Sequence, residues 1–192
     1  MLTEPLAVTL AVTDALESLG VPYAIGGSLA SAVHGVMRAT MDADVVADLQ
    51  LRHVEPLLQA LGGAFYIDSE MVRDAIRRRA SFNVIHFETL FKVDVFVMRS
   101  RAFDRSQLAR RRQILLGDSP ERYAFVTSAE DIVLAKLEWF RLGGEMADRQ
   151  WRDVLGVLRV QEERIDRDYL RRMAAGLGVT DLLEKALDEG GW

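Results

Sequence analysis

Residues 24–45 read AIGGSLASAVHGVMRATMDADV, and the fold of the chain turns on this stretch. A short β-forming run, Val21 to Ile25, leads into Gly26-Gly27-Ser28. A second apolar-periodic segment, Leu29 to Val36, then follows at helical spacing with Ser28 in its first turn. The reading is strand, turn, helix. Two glycines after a strand let the backbone approach a ligand closely, and the N–H groups at a helix start favour an anion such as a phosphate, with the Ser28 hydroxyl as an added donor. The stretch closes on Asp42-Ala43-Asp44-Val45. Side chains alternate across a strand, so Asp42 and Asp44 share one face while Ala43 and Val45 take the other. Two carboxylates on one face repel each other, and burial without a partner is costly, so a cation is the natural occupant between them.

A third aspartate lies downstream in FKVDVFVM, residues 91–98. Phe91, Val93, Val95 and Val97 fall on one face and Lys92, Asp94, Phe96 and Met98 on the other, which leaves Asp94 as an isolated acid among strong β-formers. If this strand lies beside the one carrying Asp42 and Asp44, three carboxylates converge next to the glycine turn. Oxygen-only ligands of that kind suit Mg²⁺ or Mn²⁺, which complete their shell with water and substrate phosphates.

The remaining pattern predicts an α/β (α+β) domain with a mixed sheet. Helices are expected over residues 5–19, 51–61 and 104–112, and strands over 44–47, 81–87, 91–98 and 123–126. From Ser128 onward everything reads as helix, over 129–142, 146–160, 167–176 and 179–189, with Ser128 and Asp131 spaced as a capping box. The division expected is residues 1–120 as the site-bearing domain and 121–192 as a C-terminal helical region, with Asp118-Ser119-Pro120 as a weak linker signal.

Composition narrows the class. The chain has 192 residues, 49% hydrophobic and 28% charged, enough for a real core. It has no cysteine, which removes disulfides, thiolate nucleophiles and cysteine-ligated metals and fits a cytoplasmic location. The N-terminal segment has no basic n-region and carries Glu4, Asp14 and Glu17, so it is read as mature protein. No apolar run approaches the ~20 residues that span a bilayer, so no membrane role is expected. The formal net charge of −5 argues against a general nucleic-acid coat protein, leaving room for a local basic patch.

Gly26-Gly27-Ser28, then thirteen residues, then Asp42-Ala43-Asp44-Val45, with the lone Asp94 in a later strand, resembles the signature of the nucleotidyltransferase fold of the DNA polymerase beta superfamily. Arg38-Ala39-Thr40-Met41-Asp42-Ala43-Asp44 is similar to the Arg-x-Thr-x-Asp-hydrophobic-Asp form of minimal bacterial nucleotidyltransferases, including the abortive-infection (AbiEii-like) toxins. Lys136-Leu137 and Arg149-Gln150-Trp151-Arg152-Asp153 resemble their helical motif, except that Gln150 stands where an acid is usual. The resemblance implies transfer of a nucleoside monophosphate from an NTP to an acceptor hydroxyl, with Mg²⁺ or Mn²⁺ as cofactor. It implies that Asp42, Asp44 and Asp94 are catalytic and metal-holding, and that Gly26, Gly27, Ser28, Arg38, Thr40 and Lys136 lie around the nucleotide. The acceptor would be RNA (tRNA foremost), a protein side chain or a small molecule, and a toxin of this kind would have a cognate antitoxin.

Two rival readings stand beside it. An antibiotic-type adenylyltransferase would use acids such as Glu130, Asp131, Glu138, Glu145 and Asp148 to receive a cationic drug. A catalytically inactive member of the fold would bind nucleotide or a partner. His34, His53 and His86 lack metal-ligand spacing, and Trp139, Phe140 and Trp151 are expected to pack the helical bundle. Six arginines between residues 99 and 112 read either as a solvated face or as a guide for a polyanion.

Overall fold

The computed structural model describes residues 3–36, 40–118 and 120–191. The elements run α1 (Glu4–Ser18), β1 (Tyr23–Ile25), α2 (Gly27–Val33), β2 (Asp42–Ala47), α3 (Val54–Leu61), β3 (Phe65–Tyr66), α4 (Ser69–Arg78), β4 (Ser81–His86), β5 (Lys92–Val97), α5 (Ala102–Arg110), β6 (Arg112–Asp118), β7 (Glu121–Val126), α6 (Ala129–Leu142), α7 (Asp148–Gln161), α8 (Arg167–Leu177) and α9 (Thr180–Gly190). The strands form one mixed sheet in the order β3-β4-β5-β2-β1-β7-β6. β2 is parallel to β5 and β1 to β7, and the other neighbours are antiparallel.

The period-two pattern of β2 and β5 decides what each face of the sheet does. Ala43, Val45 and Ala47 with Val93, Val95 and Val97 are fully or nearly fully buried. α1 packs on β2 and α3, and α4 packs on β4 and α3. The opposite face carries the half-buried Asp42, Asp44, Val46, Lys92, Asp94 and Phe96. α2 packs on β2 on this side, and α6 packs on α2. A one-residue slip in either strand would exchange the faces and bury the acids in the hydrocarbon layer, so register is strongly specified.

The sequence left residues 64–80 unread, and they form β3 and α4. The signal is present in hindsight: Asp68 caps α4 by accepting from the Met71 N–H at 2.7 Å, and Val72, Ala75 and Ile76 bury one face. The helix expected to reach Arg112 stops at Arg110, because Arg112 begins β6. Asp118, the first residue of the linker signal, pairs with Glu121 where β6 and β7 meet, and Ser119 lies outside the described residues. Short alternating strands flanked by arginines resemble solvated helix in a single sequence.

The four C-terminal helices pack α6 on α7 and α8, and α9 on α7 and α8. Leu134, Leu137, Val157, Leu158, Leu170 and Leu183 form their interior. A polar network ties this bundle to the rest. Ser128 caps α6 by accepting from the Asp131 N–H at 3.2 Å, and its hydroxyl donates to the Asp131 carboxylate at 2.8 Å. The Tyr169 hydroxyl donates to the other Asp131 oxygen at 2.5 Å, while Arg110 of α5 stacks on the Tyr169 ring and pairs with Glu130 at 3.0 Å. Asp131 is fully buried and its carboxyl is pushed up by that burial, so each donor offsets part of a desolvation cost. Tyr169→Phe should therefore lower unfolding free energy by about 1–3 kcal/mol in urea denaturation, because it strips one donor from a buried carboxylate.

Candidate active site

Asp42, Asp44 and Asp94 arrive on one sheet face through strand pairing. In the parallel β2–β5 register Asp44 lies beside Asp94, and Asp42 lies beside Lys92. Thr40 fixes Asp42, its hydroxyl lying 2.8 Å from the Asp42 carbonyl oxygen and 3.2 Å from the Asp42 carboxylate.

The glycine turn is built around Asp44. Ile25 pairs with Val45, and the Gly26 N–H donates to the Asp44 carbonyl at 2.8 Å. Gly27 has φ +54, and a Cβ built on it would lie 1.7 Å from Asp44 Oδ2. Both facts require glycine: the backbone is left-handed, and the carboxylate occupies the space a side chain would need. Gly27 opens α2, and Ser28 follows it, buried on the cavity wall.

A cavity of about 430 Å³ opens between this sheet face and α6. Gly26, Gly27, Ser28, Asp42 and Asp44 line one part of it, and Lys136 joins them from α6. Asp94 does not line it; its carboxylate instead meets the Lys92 ammonium at 2.7 Å. The Lys136 ammonium is buried and donates to the Asp153 carboxylate at 2.7 Å and to the Gln150 side-chain Oε1 at 3.1 Å. An amide at position 150 leaves the Lys136 charge opposed by one of these two neighbours, where an acid would oppose it with both. Arg38 lies outside the described residues.

Burial, reinforced by Asp42 and Asp94, pushes the Asp44 carboxyl up to about 6, with Lys136 and Lys92 acting in the opposite sense. The Lys92 ammonium is pushed up by its hydrogen bond to Asp94, with Asp42 and Asp44 adding to it. This is a site with more negative charge than its own side chains neutralise comfortably. The donors of Asp42 and Asp44 are carboxylate oxygens, the set that suits Mg²⁺ or Mn²⁺. The ammonium of Lys92 shows that a cation is held on this face. Among the described residues no three acidic or histidine side chains stand together as a finished metal cage.

The rest of the cavity was not foreseen. Trp139, expected in the bundle core, is 49% exposed and stands on the cavity wall with Phe96, ring centroids 5.8 Å apart. Phe140 and Trp151 do pack together, at 5.3 Å. Asp104 and Glu138 also line the cavity, and both are gripped by Arg101. Glu130 and Asp131 are engaged by Arg110. Within the arginine cluster Arg101 and Arg110 hold acids and Arg111 lies over Phe125 at 4.6 Å, whereas Arg99 is exposed at the cavity together with Arg149 and Arg79, the last also 3.9 Å from Asp48. His34 is a packed residue, its Nε2 2.7 Å from the Thr127 carbonyl oxygen.

No family model and no curated protein matches the sequence. Solved structures do match the fold. The antibiotic-resistance factor ANT(2'')-Ia aligns with a TM-score of 0.54 at 15% identity, covering 95% of each chain. The lincosamide antibiotic adenylyltransferase LnuA, solved with lincomycin bound, aligns at 0.53 and 15% identity, over 83% of this chain and 98% of that one. An antigenic nucleotidyltransferase-like protein from Paracoccidioides brasiliensis aligns at 0.52 and 18%, over 93% and 94%. The chain has the nucleotidyltransferase fold: a mixed sheet flanked by helices and followed by a helical region. Among the described residues no helix is long and apolar enough to cross a membrane.

The raised carboxyl of Asp44 makes a signed prediction for the metal-free protein. An acid whose folded pKa lies above its unfolded value stabilises the fold below about pH 4 and loses that contribution as pH rises through about 6. Asp44→Asn should therefore melt roughly 6–12 °C above wild type at pH 8 in EDTA, with the gap closing near pH 4, as read by calorimetry.

Proposed function

We propose that this protein is a metal-dependent nucleotidyltransferase that moves a nucleoside monophosphate from an NTP to an acceptor hydroxyl. The observation that carries the reading is the fit of Gly27 against Asp44, where a glycine with no room for a side chain packs on the carboxylate that shares its strand face with Asp42 and its register with Asp94. A turn of this shape has no structural need to stand against a raised carboxylate. It makes sense where both face one ligand, a triphosphate with its cations.

In the reaction the acceptor oxygen forms a bond to the α-phosphorus. The bond from that phosphorus to the bridging oxygen of the β-phosphate breaks, and pyrophosphate leaves. Mg²⁺ or Mn²⁺, when bound, supplies positive charge to the attacking and leaving oxygens of this in-line displacement. Asp42 and Asp44 would hold that ion, Thr40 orients Asp42, and Asp94 would take part in accepting the acceptor proton. Gly26, Gly27 and Ser28 face the β- and γ-phosphates. Lys136, held in place by Asp153 and Gln150, adds a fixed positive charge to the same wall. Arg38 belongs to the triphosphate or acceptor side by the resemblance of its motif.

The charge around the cavity bears on the acceptor. Of the acids that would greet a cationic drug, Glu130, Asp131, Glu138 and Glu145 are paired with arginines, while Asp148 is exposed. Exposed Arg79, Arg99 and Arg149 at the cavity favour a polyanion, so RNA is the acceptor class proposed. The abortive-infection form of this reading adds a cytoplasmic toxin restrained by a cognate antitoxin.

The test is incubation with each α-³²P-labelled NTP and Mg²⁺ or Mn²⁺ against total tRNA, cell lysate and the protein itself. Label should appear in an RNA fraction with wild type and vanish with Asp44→Asn. Label that persists with Asp44→Asn would contradict the metal assignment. Tight NTP binding with no transfer to any fraction would favour an inactive, binding member of the fold.

A further inference from the structure

Among the described residues Lys92 is the cation that β5 itself places on the acidic face. It precedes Asp94 by two residues, so the alternation of β5 puts both on the same face, and the parallel register sets Lys92 beside Asp42. Its ammonium lies 2.7 Å from Asp94 Oδ2. The contact engages the carboxylate that would otherwise complete a three-acid cluster, and among the described residues no such cluster is assembled. Lys92 is the first residue of KVDVFV, at the end of the strand, and its side chain is 36% exposed, with room to leave.

We propose that Lys92 is the resting counter-ion of the acidic face and a competitor for its metal, holding Asp94 until a divalent cation takes the carboxylates. This rests on the metal-dependent reading given under the proposed function. Like charges on one small face cannot all be satisfied together, so a divalent ion and the ammonium each weaken the other's binding. In the nucleotide-free protein, Lys92 then sets a threshold for metal entry. A nucleotide that brings four negative charges with its metal would overcome that threshold, so metal and NTP bind together more readily than metal alone.

The test is Mn²⁺ binding to the full chain without nucleotide, followed by the electron paramagnetic resonance signal of free Mn²⁺, for wild type, Lys92→Met and Lys92→Arg, with Asp44→Asn as a control for the site. A third-exposed side chain can be exchanged for Met at little structural cost, and melting curves of each variant check this. Lys92→Met should bind Mn²⁺ about tenfold more tightly, given partial solvent screening of the lost charge. Lys92→Arg, which keeps the charge, should stay near wild type. Equal affinity in Lys92→Met and wild type, or weaker affinity in Lys92→Met, would overturn the competition while leaving the metal site standing. No saturable Mn²⁺ binding by any of the proteins, with or without NTP, would overturn the metal-dependent reading and the competition with it.

Discussion

Asp42, Asp44 and Asp94 concentrate like charge on one face of a buried sheet, and the surrounding structure is arranged to tolerate it. Hydrocarbon under β2 and β5 forces these acids to the other face and leaves their strands no freedom of register. Gly27 gives up its side chain so that Asp44 has space, while Lys92 and Lys136 approach from β5 and α6 with partial compensation. The compensation is incomplete, since the Asp44 carboxyl still rises to about 6. A fold that only needed stability would replace such an acid with an apolar residue.

The helical region contributes to the same wall. α6 is anchored through Ser128, Asp131 and Tyr169 at its start, and two turns later it presents Lys136 to the cavity. Asp153 and Gln150 of α7 then hold that ammonium in place. Removing Asp153 would take the carboxylate away from a buried ammonium, a far larger cost than losing a surface pair. The bundle therefore positions a charge as well as completing a core.

The acid pair, the glycine turn and the lone Asp94 were legible because each breaks a local pattern that the sequence displays. Alternation in KVDVFV also gave the correct faces. Other features depend on contacts between distant segments and left little local trace. Asp104 and Glu138 come from separate helices to one arginine, and Trp139 reads as core until it is seen packed edge-on against Phe96 on the cavity wall. β6 was lost because its exposed strand alternates weakly and begins within an arginine run. Lys92 could have been found, since its two-residue offset from Asp94 is explicit in the sequence.

The central claim is that the carboxylates of Asp42 and Asp44 and the turn at Gly27 face a single metal-bound triphosphate. The most direct measurement is a crystal structure with Mn²⁺ and a non-hydrolysable NTP analogue, read by anomalous scattering. The account predicts Mn²⁺ against the Asp42 and Asp44 carboxylates, with the triphosphate along Gly27, Ser28 and Lys136. A triphosphate bound elsewhere, or Mn²⁺ absent from both carboxylates in crystals that hold the nucleotide, would contradict it.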